Sequence, residues 1–590
     1  MPGAARRTRV PSVATIADHV IEALHASGVR RVYGLPGDSL NGFTDALRRS
    51  GKITWEHVRH EETAAFAAAA DAAITGGLAV CAGSCGPGNL HLINGLFDAQ
   101  RSRVPVLAIA AHIPRTEIGS EYFQETHPQE LFRDCSVYCE LVSTPDMLPR
   151  ILHMAMRTAV EESGVAVVVV PGEIFLQKAE PTAWQARPVR ATTSVVRPDD
   201  ASLRQAAELL NAAQAVTILG GAGVEGAHAE LVALADLLKA PVVHALRGKE
   251  FIEYDNPFDV GMTGLLGFAS GYKAIKECDT LLMLGTDFPY QQFYPDHARV
   301  IQVDIRGRNL GRRTPVDLPL VGTVKDTVSA LMPLLRPKSD TAHLERSLRH
   351  YRKTRATLDK LAGNDRDRTP IRPEYLAAEV NRIAASDAVF TVDVGSPVVW
   401  AARYLQMNGR RRLIGSFNHG TMACALPLAI GAQTAQPGRQ VVALAGDGGL
   451  TMLFGDLITL VQNRLPVKLV VFNNSSLNFV ELEMKAAGIV NYGTELANPN
   501  FAAVAESMGI LGRRVEHPAQ LEQALTDAFA VDGPAVVDVV TARQELSIPP
   551  AITAEQAKGF SLYAIRTILA GRSDELLDLV TTNVARRILD

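Results

Sequence analysis

Continuous runs of apolar residues, alternating with helical patterns, constrain the fold of this chain more than any other feature. Such runs occur at residues 78–82, 104–111, 165–170, 215–219, 280–284, 300–303, 388–392, 441–445, 467–472 and 535–540. An unbroken apolar run suits a strand that is buried on both faces, as in a parallel sheet covered by helices. The alternation of these strands with helices predicts an α/β fold made of doubly wound parallel sheets.

Two polar stretches interrupt this alternation and predict the domain boundaries. Residues 177–200 contain three prolines and no apolar period, and residues 336–372 are densely charged. Such stretches are typical of connectors or of solvated helices between domains. The 590 residues therefore divide into a domain at 1–185, a second at 186–345, a third at 346–542 and a short, helical tail at 543–590.

Charge and composition exclude several classes of protein. The 59 basic side chains are offset by 63 acidic ones, for a net charge of −4. Nucleic-acid-binding proteins carry an excess of basic residues on one surface, so this class is disfavoured. No run approaches the roughly 18 apolar residues of a transmembrane helix. The basic residues near the start of the chain are not followed by the apolar segment of a signal peptide. The six cysteines are too few for a disulfide framework, so a cytoplasmic protein with buried, reduced thiols is expected.

The strongest chemical signal lies in the third domain, where two predicted strands end in polar residues. The first ends in Gly446-Asp447-Gly448-Gly449 and the second in Asn473-Asn474, with 24 residues between Gly448 and Asn473. Glycines after a strand let phosphate approach the backbone, and the N-terminus of a following helix attracts anions. A carboxylate and an amide oxygen at the carboxyl ends of parallel strands suit Mg²⁺. The pattern predicts a site for Mg²⁺ and a phosphate-bearing ligand.

This spacing resembles the signature of enzymes that depend on thiamine diphosphate, and the resemblance implies roles for other residues. It implies that Asp447, Asn474 and the carbonyl of Ser476 bind Mg²⁺. It also implies that Glu61, within Arg59-His60-Glu61, activates the aminopyrimidine of the cofactor, and that Met422 supports the bent shape of the cofactor. The other implied contacts of thiamine diphosphate are Gly395, Ser396, Gly420, Thr421, Gly448, Gly449, Ser475, Leu477, Asn478, Phe479 and Val480.

A narrower resemblance, over roughly residues 13–585, is to the pyruvate oxidase–acetolactate synthase group, and within it to the quinone-linked pyruvate dehydrogenases. It is carried by Ser84-Cys85-Gly86-Pro87-Gly88, by Phe123-Gln124-Glu125, and by runs at residues 81–99, 122–136 and 244–268. The resemblance implies oxidative decarboxylation of pyruvate to acetate and CO₂, with electrons passed through FAD to a quinone. The implied catalytic residues are Glu61, Phe123, Gln124, Met422 and Phe479. The implied FAD contacts are Met262, Thr263, Gly264, Leu265, Gly285, Thr286, Asp287, Phe288, Pro289, Val303 and Asp304.

Several alternatives stay open. An acetolactate synthase-like carboligase would use FAD only structurally, and an oxidase that uses oxygen and phosphate would need no quinone. A middle domain without flavin is a further alternative, since Leu219-Gly220-Gly221-Ala222-Gly223 is not a clean dinucleotide fingerprint. A non-catalytic regulator of the same fold is disfavoured, because it has no use for the retained Glu61, Asp447, Asn474 and Met422.

The resemblance also implies an assembly and a regulatory tail. It implies that Glu61 and Asp447 of one site come from different subunits, so a homodimer is the minimum and a homotetramer the expected state. The tail at 543–590 would either contact the membrane surface reversibly, on the inner face of the cell membrane, or dock on the protein itself. Residues 571–590 have no cationic excess and no Trp or Phe, which weakens the membrane alternative.

One residue departs from the resembled enzymes inside a motif. Asn478 stands where those enzymes have glycine. Because Asn tolerates a left-handed backbone, cofactor binding is expected to survive, while the pocket around Phe479 and the movement of its ring come into question.

Overall fold

The computed structural model describes residues 14–179, 187–363 and 368–543, together with 562–564, 566, 567 and 579 of the tail. The chain forms two compact units, the first comprising residues up to 192 with 414–441 and 451–467. The second comprises residues 193–413, 442–450 and those from 468 onward. Three six-stranded sheets with interleaved helices make up the fold. The predicted class, three consecutive α/β domains with parallel sheets, is confirmed.

The first sheet has the strand order β2-β1-β3-β4-β6-β5. Its strands are β1 (Arg31–Gly34), β2 (Thr54–His57), β3 (Ala79–Gly83), β4 (Val106–His112), β5 (Tyr138–Leu141) and β6 (Val165–Pro171). Its helices are α1 (Ile16–Ala26), α2 (Asn41–Ser50), α3 (Glu61–Thr75), α4 (Pro87–Ser102), α5 (Pro128–Leu131) and α6 (Leu148–Glu162). Every residue of β3, β4 and β6 is buried, so both faces of this sheet are covered, as the apolar runs predict.

The second sheet has the order β12-β11-β10-β7-β8-β9. Its strands are β7 (Val216–Gly220), β8 (Val242–His244), β9 (Asp259–Met262), β10 (Thr280–Leu284), β11 (Arg299–Asp304) and β12 (Leu318–Val321). Its helices are α7 (Asp200–Ala212), α8 (His228–Leu238), α9 (Lys249–Ile252), α10 (Ala269–Lys276) and α11 (Val324–Leu331). The order reverses between β7 and β10, as in dinucleotide-binding folds, and such a reversal opens a ligand crevice at the carboxyl ends of the strands.

The third sheet has the order β14-β13-β15-β16-β18-β17. Its strands are β13 (Val389–Val392), β14 (Arg412–Gly415), β15 (Val441–Gly446), β16 (Lys468–Asn473), β17 (Leu511–Val515) and β18 (Ala535–Val540). Helix α12 (Ala342–Gly363) precedes this sheet and packs on the core of the second sheet through Leu348 and Tyr351. The helices that follow are α13 (Pro373–Ile383), α14 (Ser396–Tyr404), α15 (Ala425–Ala435), α16 (Asp447–Met452), α17 (Leu457–Gln462), α18 (Asn478–Ala486), α19 (Phe501–Ser507) and α20 (Pro518–Ala530). This sheet repeats the strand order of the first, with its reversal between β13 and β15.

Helix α3 is rich in alanine and packs closely on two other helices of the first unit. A β-carbon on Gly95 of α4 would lie 2.5 Å from the β-carbon of Ala65. One on Gly431 of α15 would lie 2.0 Å from the carbonyl oxygen of Ala67. Only glycine permits approaches this close. The position of α3, and of Glu61 at its first turn, is therefore set by two helix crossings.

The described residues of the tail pack within the second unit. Tyr563 is fully buried, and the ammonium of Lys485 lies 5.6 Å from the centre of its ring. Arg566 donates a hydrogen bond of 2.7 Å to the carbonyl of Gly488. Most of the predicted tail at 543–590 lies outside the described residues, as do the basic residues near the start of the chain, so both remain predictions.

All six cysteine thiols are free and five of them are buried, as the sequence predicts. Burial raises the pKa of Cys81, Cys135, Cys139 and Cys278 to about 12, so these thiols stay protonated. Within the described ranges, no helix has both the length and the apolarity that crossing a membrane requires.

Candidate functional site

Glu61 is the first residue of α3 and is buried, with 5% of its surface exposed. The helix begins there because His60 caps it, and the Nδ1 atom of His60 accepts a hydrogen bond from the Glu62 amide at 3.2 Å. A helix N-terminus favours negative charge, so this position suits a carboxylate.

Two histidines and a glycine surround the carboxyl group of Glu61. His91 Nδ1 lies 2.9 Å from Oε2, and a β-carbon on Gly88 would lie 3.0 Å from Oε1. The rings of His60 and His91 stack with their centres 4.3 Å apart. His60, Glu61 and His91 each offer one atom that could bind a metal ion, and these three atoms lie within 4.8 Å of one another. His91 therefore holds Oε2 of Glu61. Oε1 faces Gly88, which has no side chain and so leaves room for a ligand.

The loop that carries Gly420, Thr421 and Met422 is tied to helices α3 and α4. Asn94 Nδ2 donates to Glu62 Oε1 at 2.7 Å and to Thr421 Oγ1 at 3.1 Å. Thr421 Oγ1 in turn donates to the carbonyl of Met422 at 2.9 Å, and Gly420 has a φ of +82°, which favours glycine. These contacts fix the backbone of the loop, as a support for a cofactor requires.

Gln124 and the loop at residues 84–88 are packed on each other. The Cys85 thiol donates to Gln124 Oε1 at 3.2 Å, and a β-carbon on Gly86 would lie 2.9 Å from the Gln124 carbonyl oxygen. Gln124 itself has a left-handed backbone, with a φ of +63°. Phe123 lies outside this packing, with 77% of its surface exposed. Gln124 is thus brought to the loop whose Gly88 faces Glu61.

Asp447, in the second unit, begins α16 directly after β15 and is 3% exposed. Its Oδ1 atom accepts a hydrogen bond from the Gly448 amide at 2.8 Å, and Oδ2 accepts from the amides of Asn474 at 3.0 Å and Ser475 at 2.6 Å. Burial raises the pKa of Asp447, because these hydrogen bonds offset the loss of hydration only in part. No Lys or Arg of the described chain forms an ion pair with it, so a bound cation would supply the missing opposite charge.

Asn474 and Ser476 lie on the loop after β16, whose shape is fixed locally. Asn474 Oδ1 accepts from the Ser476 amide at 3.0 Å, Ser475 is left-handed with a φ of +56°, and the Leu496 amide donates to the Ser475 carbonyl at 3.0 Å. Asp447, Asn474 and Ser476 offer only hard oxygen atoms, the ligands that Mg²⁺ prefers. The residues present therefore fit the predicted ion in chemical type.

Asn478 is the first residue of α18, and the left-handed residue of this loop is Ser475. The tolerance of Asn for a left-handed backbone is therefore not needed at Asn478, because a residue inside an α-helix takes the right-handed conformation, and cofactor binding at this position stays a prediction. Its side chain forms a bridge instead: Ser396 Oγ donates to Oδ1 at 3.0 Å, and Nδ2 donates to the carbonyl of Arg543. Asn478 thereby ties α18, which carries the half-buried Phe479, to the start of α14.

Glu481, one turn further along α18, was not singled out by any sequence motif. It is fully buried and accepts hydrogen bonds from Ser476 Oγ at 2.7 Å, from Thr494 Oγ1 at 2.9 Å and from Arg543. Burial alone would raise its pKa, but the hydrogen bonds from Arg543 and Ser476 outweigh it and hold the pKa of Glu481 below its usual value. The only local signal was a Glu followed by Lys485 four positions later.

The predicted flavin residues lie at the carboxyl ends of β9, β10 and β11. The Gly223 amide donates to the Gly285 carbonyl at 3.0 Å, so the loops after β7 and β10 pack directly on each other. His244 Nε2 and Thr263 Oγ1 are buried without a hydrogen-bond partner among the described residues. Buried polar atoms normally have partners, so these two fit a site for a polar ligand such as FAD.

Other predicted flavin residues already have partners within the protein. Asp287 pairs with Arg312 at 3.2 Å and Arg313 at 2.9 Å, and Asp304 accepts from the Arg306 amide at 2.8 Å. A ligand in this crevice would meet the others mainly through backbone, because the side chains of Met262, Phe288 and Val303 are buried among apolar neighbours and that of Leu265 is half-buried against them. Gly264, Thr286 and Pro289 lie in the same loops. The flavin contacts remain a prediction.

The structure groups the predicted residues within each unit. In the first, Glu61, Gln124 and Thr421 are linked through Gly88, Cys85 and Asn94. In the second, a set of predicted residues meets at the carboxyl ends of β13, β15 and β16; it comprises Ser396, Asp447, Asn474, Ser475, Ser476 and Asn478. Sequence reasoning missed the side chains that hold these groups in place, which are His91, Asn94, Asn473, Glu481, Asn498 and Arg543.

Comparisons with known proteins agree with this arrangement. Three family descriptions match: thiamine pyrophosphate enzyme, N-terminal TPP binding domain, at residues 14–131; central domain at 203–331; and C-terminal TPP binding domain at 393–539. A putative thiamine pyrophosphate-containing protein of Bacillus subtilis is 37% identical over 96% of this chain and 98% of its own. A pyruvate oxidase of Lactiplantibacillus plantarum is 32% identical over 88% of this chain and 87% of its own. An acetolactate synthase of Mycobacterium bovis is 31% identical over 89% of this chain and 88% of its own. One match falls in each predicted domain, whose bounds stay a prediction.

Proposed function

The chain belongs to the thiamine pyrophosphate enzyme family, and from that membership we propose that it oxidises pyruvate to acetate and CO₂ and passes the electrons through FAD to a quinone. The observation that carries the proposal is the convergence of the Asp447 carboxylate on the backbone of Asn474 and Ser475, which joins the two halves of the cofactor motif. Pyruvate as the substrate is supported by the relative named pyruvate oxidase.

Glu61 is the proposed proton donor and acceptor. When bound, thiamine diphosphate supplies the electron sink that loss of CO₂ from a 2-oxoacid requires. Glu61 Oε1, beside Gly88, would hold a ring nitrogen of the aminopyrimidine and exchange a proton with it, while His91 keeps Oε2 in place. Gly420, Thr421 and Met422 would support the cofactor from their fixed loop.

Asp447, Asn474 and the carbonyl of Ser476 would hold Mg²⁺. The diphosphate would lie at the N-termini of α14 and α16, which begin at Ser396 and Asp447 and favour anions, so Ser396 and Gly448 are proposed contacts. The remaining proposed contacts are Gly395, Gly449, Ser475, Leu477, Asn478, Phe479 and Val480.

Phe123, Gln124, Met422 and Phe479 are proposed to contact pyruvate and to exclude water from it. The overall reaction adds water to pyruvate and releases acetate, CO₂, two protons and two electrons. A flavin site at the crevice between β7 and β10 would take the two electrons onward to the quinone. It would lie near His244 Nε2 and Thr263 Oγ1, buried atoms that have no hydrogen-bond partner among the described residues.

The assembly and location are part of the same proposal. A homodimer is the proposed minimum and a homotetramer the proposed state, in the cytoplasm. Reversible contact of residues 543–590 with the inner face of the cell membrane would bring the enzyme to a lipid-soluble quinone.

Anaerobic addition of pyruvate to the purified protein with its cofactors tests the proposal. The flavin absorbance should bleach, acetate should form, and a quinone should restore the absorbance. An acetolactate synthase is the second candidate, favoured by the 31% identical relative of that name. Formation of acetolactate without bleaching would select it and overturn the proposal. If oxygen restored the flavin absorbance and acetyl phosphate formed, the electron acceptor would be oxygen and not a quinone.

A further inference from the structure

Asn498 makes two hydrogen bonds at the candidate metal site. It lies between α18 and α19, and its Nδ2 atom donates to Asp447 Oδ2 at 2.8 Å and to Asn473 Oδ1 at 2.9 Å. It therefore contacts both the carboxylate assigned to Mg²⁺ and the first asparagine of the Asn473-Asn474 pair.

A buried carboxylate sets the direction of these hydrogen bonds. Asp538 on β18 is fully buried and accepts hydrogen bonds from Asn473 Nδ2 at 2.9 Å and from Arg514. An ionised carboxylate only accepts hydrogen bonds, so Asn473 turns its amide nitrogen toward Asp538 and its oxygen toward Asn498. Asn498 then donates one N–H to Asn473, and its other N–H is directed at Asp447.

The two carboxylate oxygens of Asp447 accept different numbers of hydrogen bonds in this arrangement. Oδ2 accepts three hydrogen bonds, from the amides of Asn474 and Ser475 and from Asn498. Among the described residues Oδ1 accepts one, from the Gly448 amide. Because each carboxylate oxygen has about two lone-pair directions, the described residues use Oδ2 fully and leave one direction of Oδ1 open.

We propose that Asn498 is a positioning residue for the divalent cation: it holds the Asp447 carboxylate in the orientation that presents Oδ1 to the ion, and it does not bind the ion itself. The inference rests on the proposed function, in which Asp447 binds Mg²⁺. Hydrogen-bond partners of metal ligands typically change metal affinity by about 10- to 100-fold, since they fix the orientation of the ligand before the ion arrives.

Binding of Mn²⁺ to the full-length protein with saturating thiamine diphosphate, measured from the EPR signal of free Mn²⁺, tests the inference. Asn498→Ala should raise the dissociation constant of Mn²⁺ about 10- to 100-fold, and turnover should recover toward the wild-type value at high Mn²⁺. Asn498→Ser keeps one hydrogen-bond donor, so its dissociation constant for Mn²⁺ should lie between those of the wild-type protein and Asn498→Ala. It also provides the test if the alanine variant does not fold.

Asn500→Ala is the matched control, two positions along the same segment. Asn500 caps α19 and accepts a hydrogen bond from the Ala503 amide at 3.0 Å, so its loss should lower the thermal unfolding midpoint. The Mn²⁺ affinity of this control should not change.

The possible failures are distinguishable. Wild-type Mn²⁺ affinity in Asn498→Ala, or in Asn498→Ser where only that variant folds, overturns the inference and leaves the proposed function intact. An equal loss of affinity in Asn500→Ala also overturns it, because the effect would then reflect folding of the segment. Absence of Mn²⁺ binding by the wild-type protein with thiamine diphosphate would sink the proposed function and the inference together.

Discussion

Glu61 and His91 are joined by a hydrogen bond of 2.9 Å between Oε2 and Nδ1. The Glu61 side chain is 7% exposed and that of His91 43%, so a buried carboxyl group has a neighbour that reaches solvent. A glutamine in place of Glu61 would keep the same shape and the same hydrogen-bond partner. The acid function of Glu61 can therefore be tested separately from its contribution to packing.

Glu61→Gln should lower pyruvate turnover by at least about 100-fold while leaving the fold intact. The amide still bonds to His91 but cannot exchange a proton as a carboxylic acid does, and such transfer contributes about 10²- to 10⁴-fold to catalysis. Turnover of the cofactor-loaded protein and its circular dichroism provide the measurements. Glu22→Gln, at an exposed glutamate that pairs with Lys52, should leave turnover unchanged. An unimpaired Glu61→Gln enzyme contradicts the assignment.

Gly431→Ala should destabilise the protein, although alanine is the better helix former by about 1 kcal/mol. The new β-carbon would lie 2.0 Å from the Ala67 carbonyl oxygen, and overpacking against backbone costs about 1–3 kcal/mol or more, which outweighs the gain in propensity. The thermal unfolding midpoint checks this. Gly438→Ala, where nothing lies within 4 Å of the new atom, serves as the control and should be nearly neutral. Equal midpoints for the two variants would show that α3 and α15 do not need the close crossing.

Thr263→Val should weaken FAD binding without destabilising the flavin-free protein. Thr263 Oγ1 is buried and has no hydrogen-bond partner in the described part of the chain, so an isosteric apolar side chain removes an unsatisfied group and any contact that the group makes with a ligand. Thermal unfolding with and without added FAD separates the two effects. Thr327 Oγ1 on α11 is also buried and has no hydrogen-bond partner within the described ranges, so Thr327→Val should be equally stable yet keep the wild-type response to FAD. Identical responses to FAD would remove Thr263 from the proposed flavin site.

Lys468 should make the stability of the protein depend on pH in the alkaline range. It is 4% exposed on β16 and donates to the carbonyls of Val531 and Gly533, and burial lowers its pKa from 10.5 to about 8. Between these values the unfolded chain holds the proton and the native protein does not, so the free energy of unfolding rises with pH, by at most about 1.4 kcal/mol per unit.

Urea unfolding at about pH 7.5 and about pH 9.5 measures this effect against Lys468→Met, which lacks the titrating group. The wild-type protein should gain stability relative to the variant at the higher pH. A difference between the two proteins that does not change with pH would contradict the lowered pKa.

Strand prediction from the sequence finds most of the central strands and none of the edge strands. All ten apolar runs coincide with central strands. The runs miss the short interior strands β1 and β8 and the six edge strands, which are β2, β5, β9, β12, β14 and β17. An edge strand has a neighbour on one side only and tolerates polar residues. In β17, Arg513 and Arg514 break the apolar run, and the pairing of Arg514 with Asp538 on β18 is a tertiary contact.

The fold class and the chemistry available to the candidate site could be predicted from the amino-acid sequence alone. Unbroken apolar runs must be buried on both faces, and the spacing of Asp447 and Asn474 already indicated oxygen ligands at adjacent strand ends. The side chains that hold those groups become visible only in the packed structure: His91 contacts Glu61, Asn498 contacts Asp447, and the helix crossing at Gly431 positions α3. The physical reason is that these contacts join residues distant in sequence, and their hydrogen bonds and close approaches exist only once the elements have packed. Local periodicity carries no information about them.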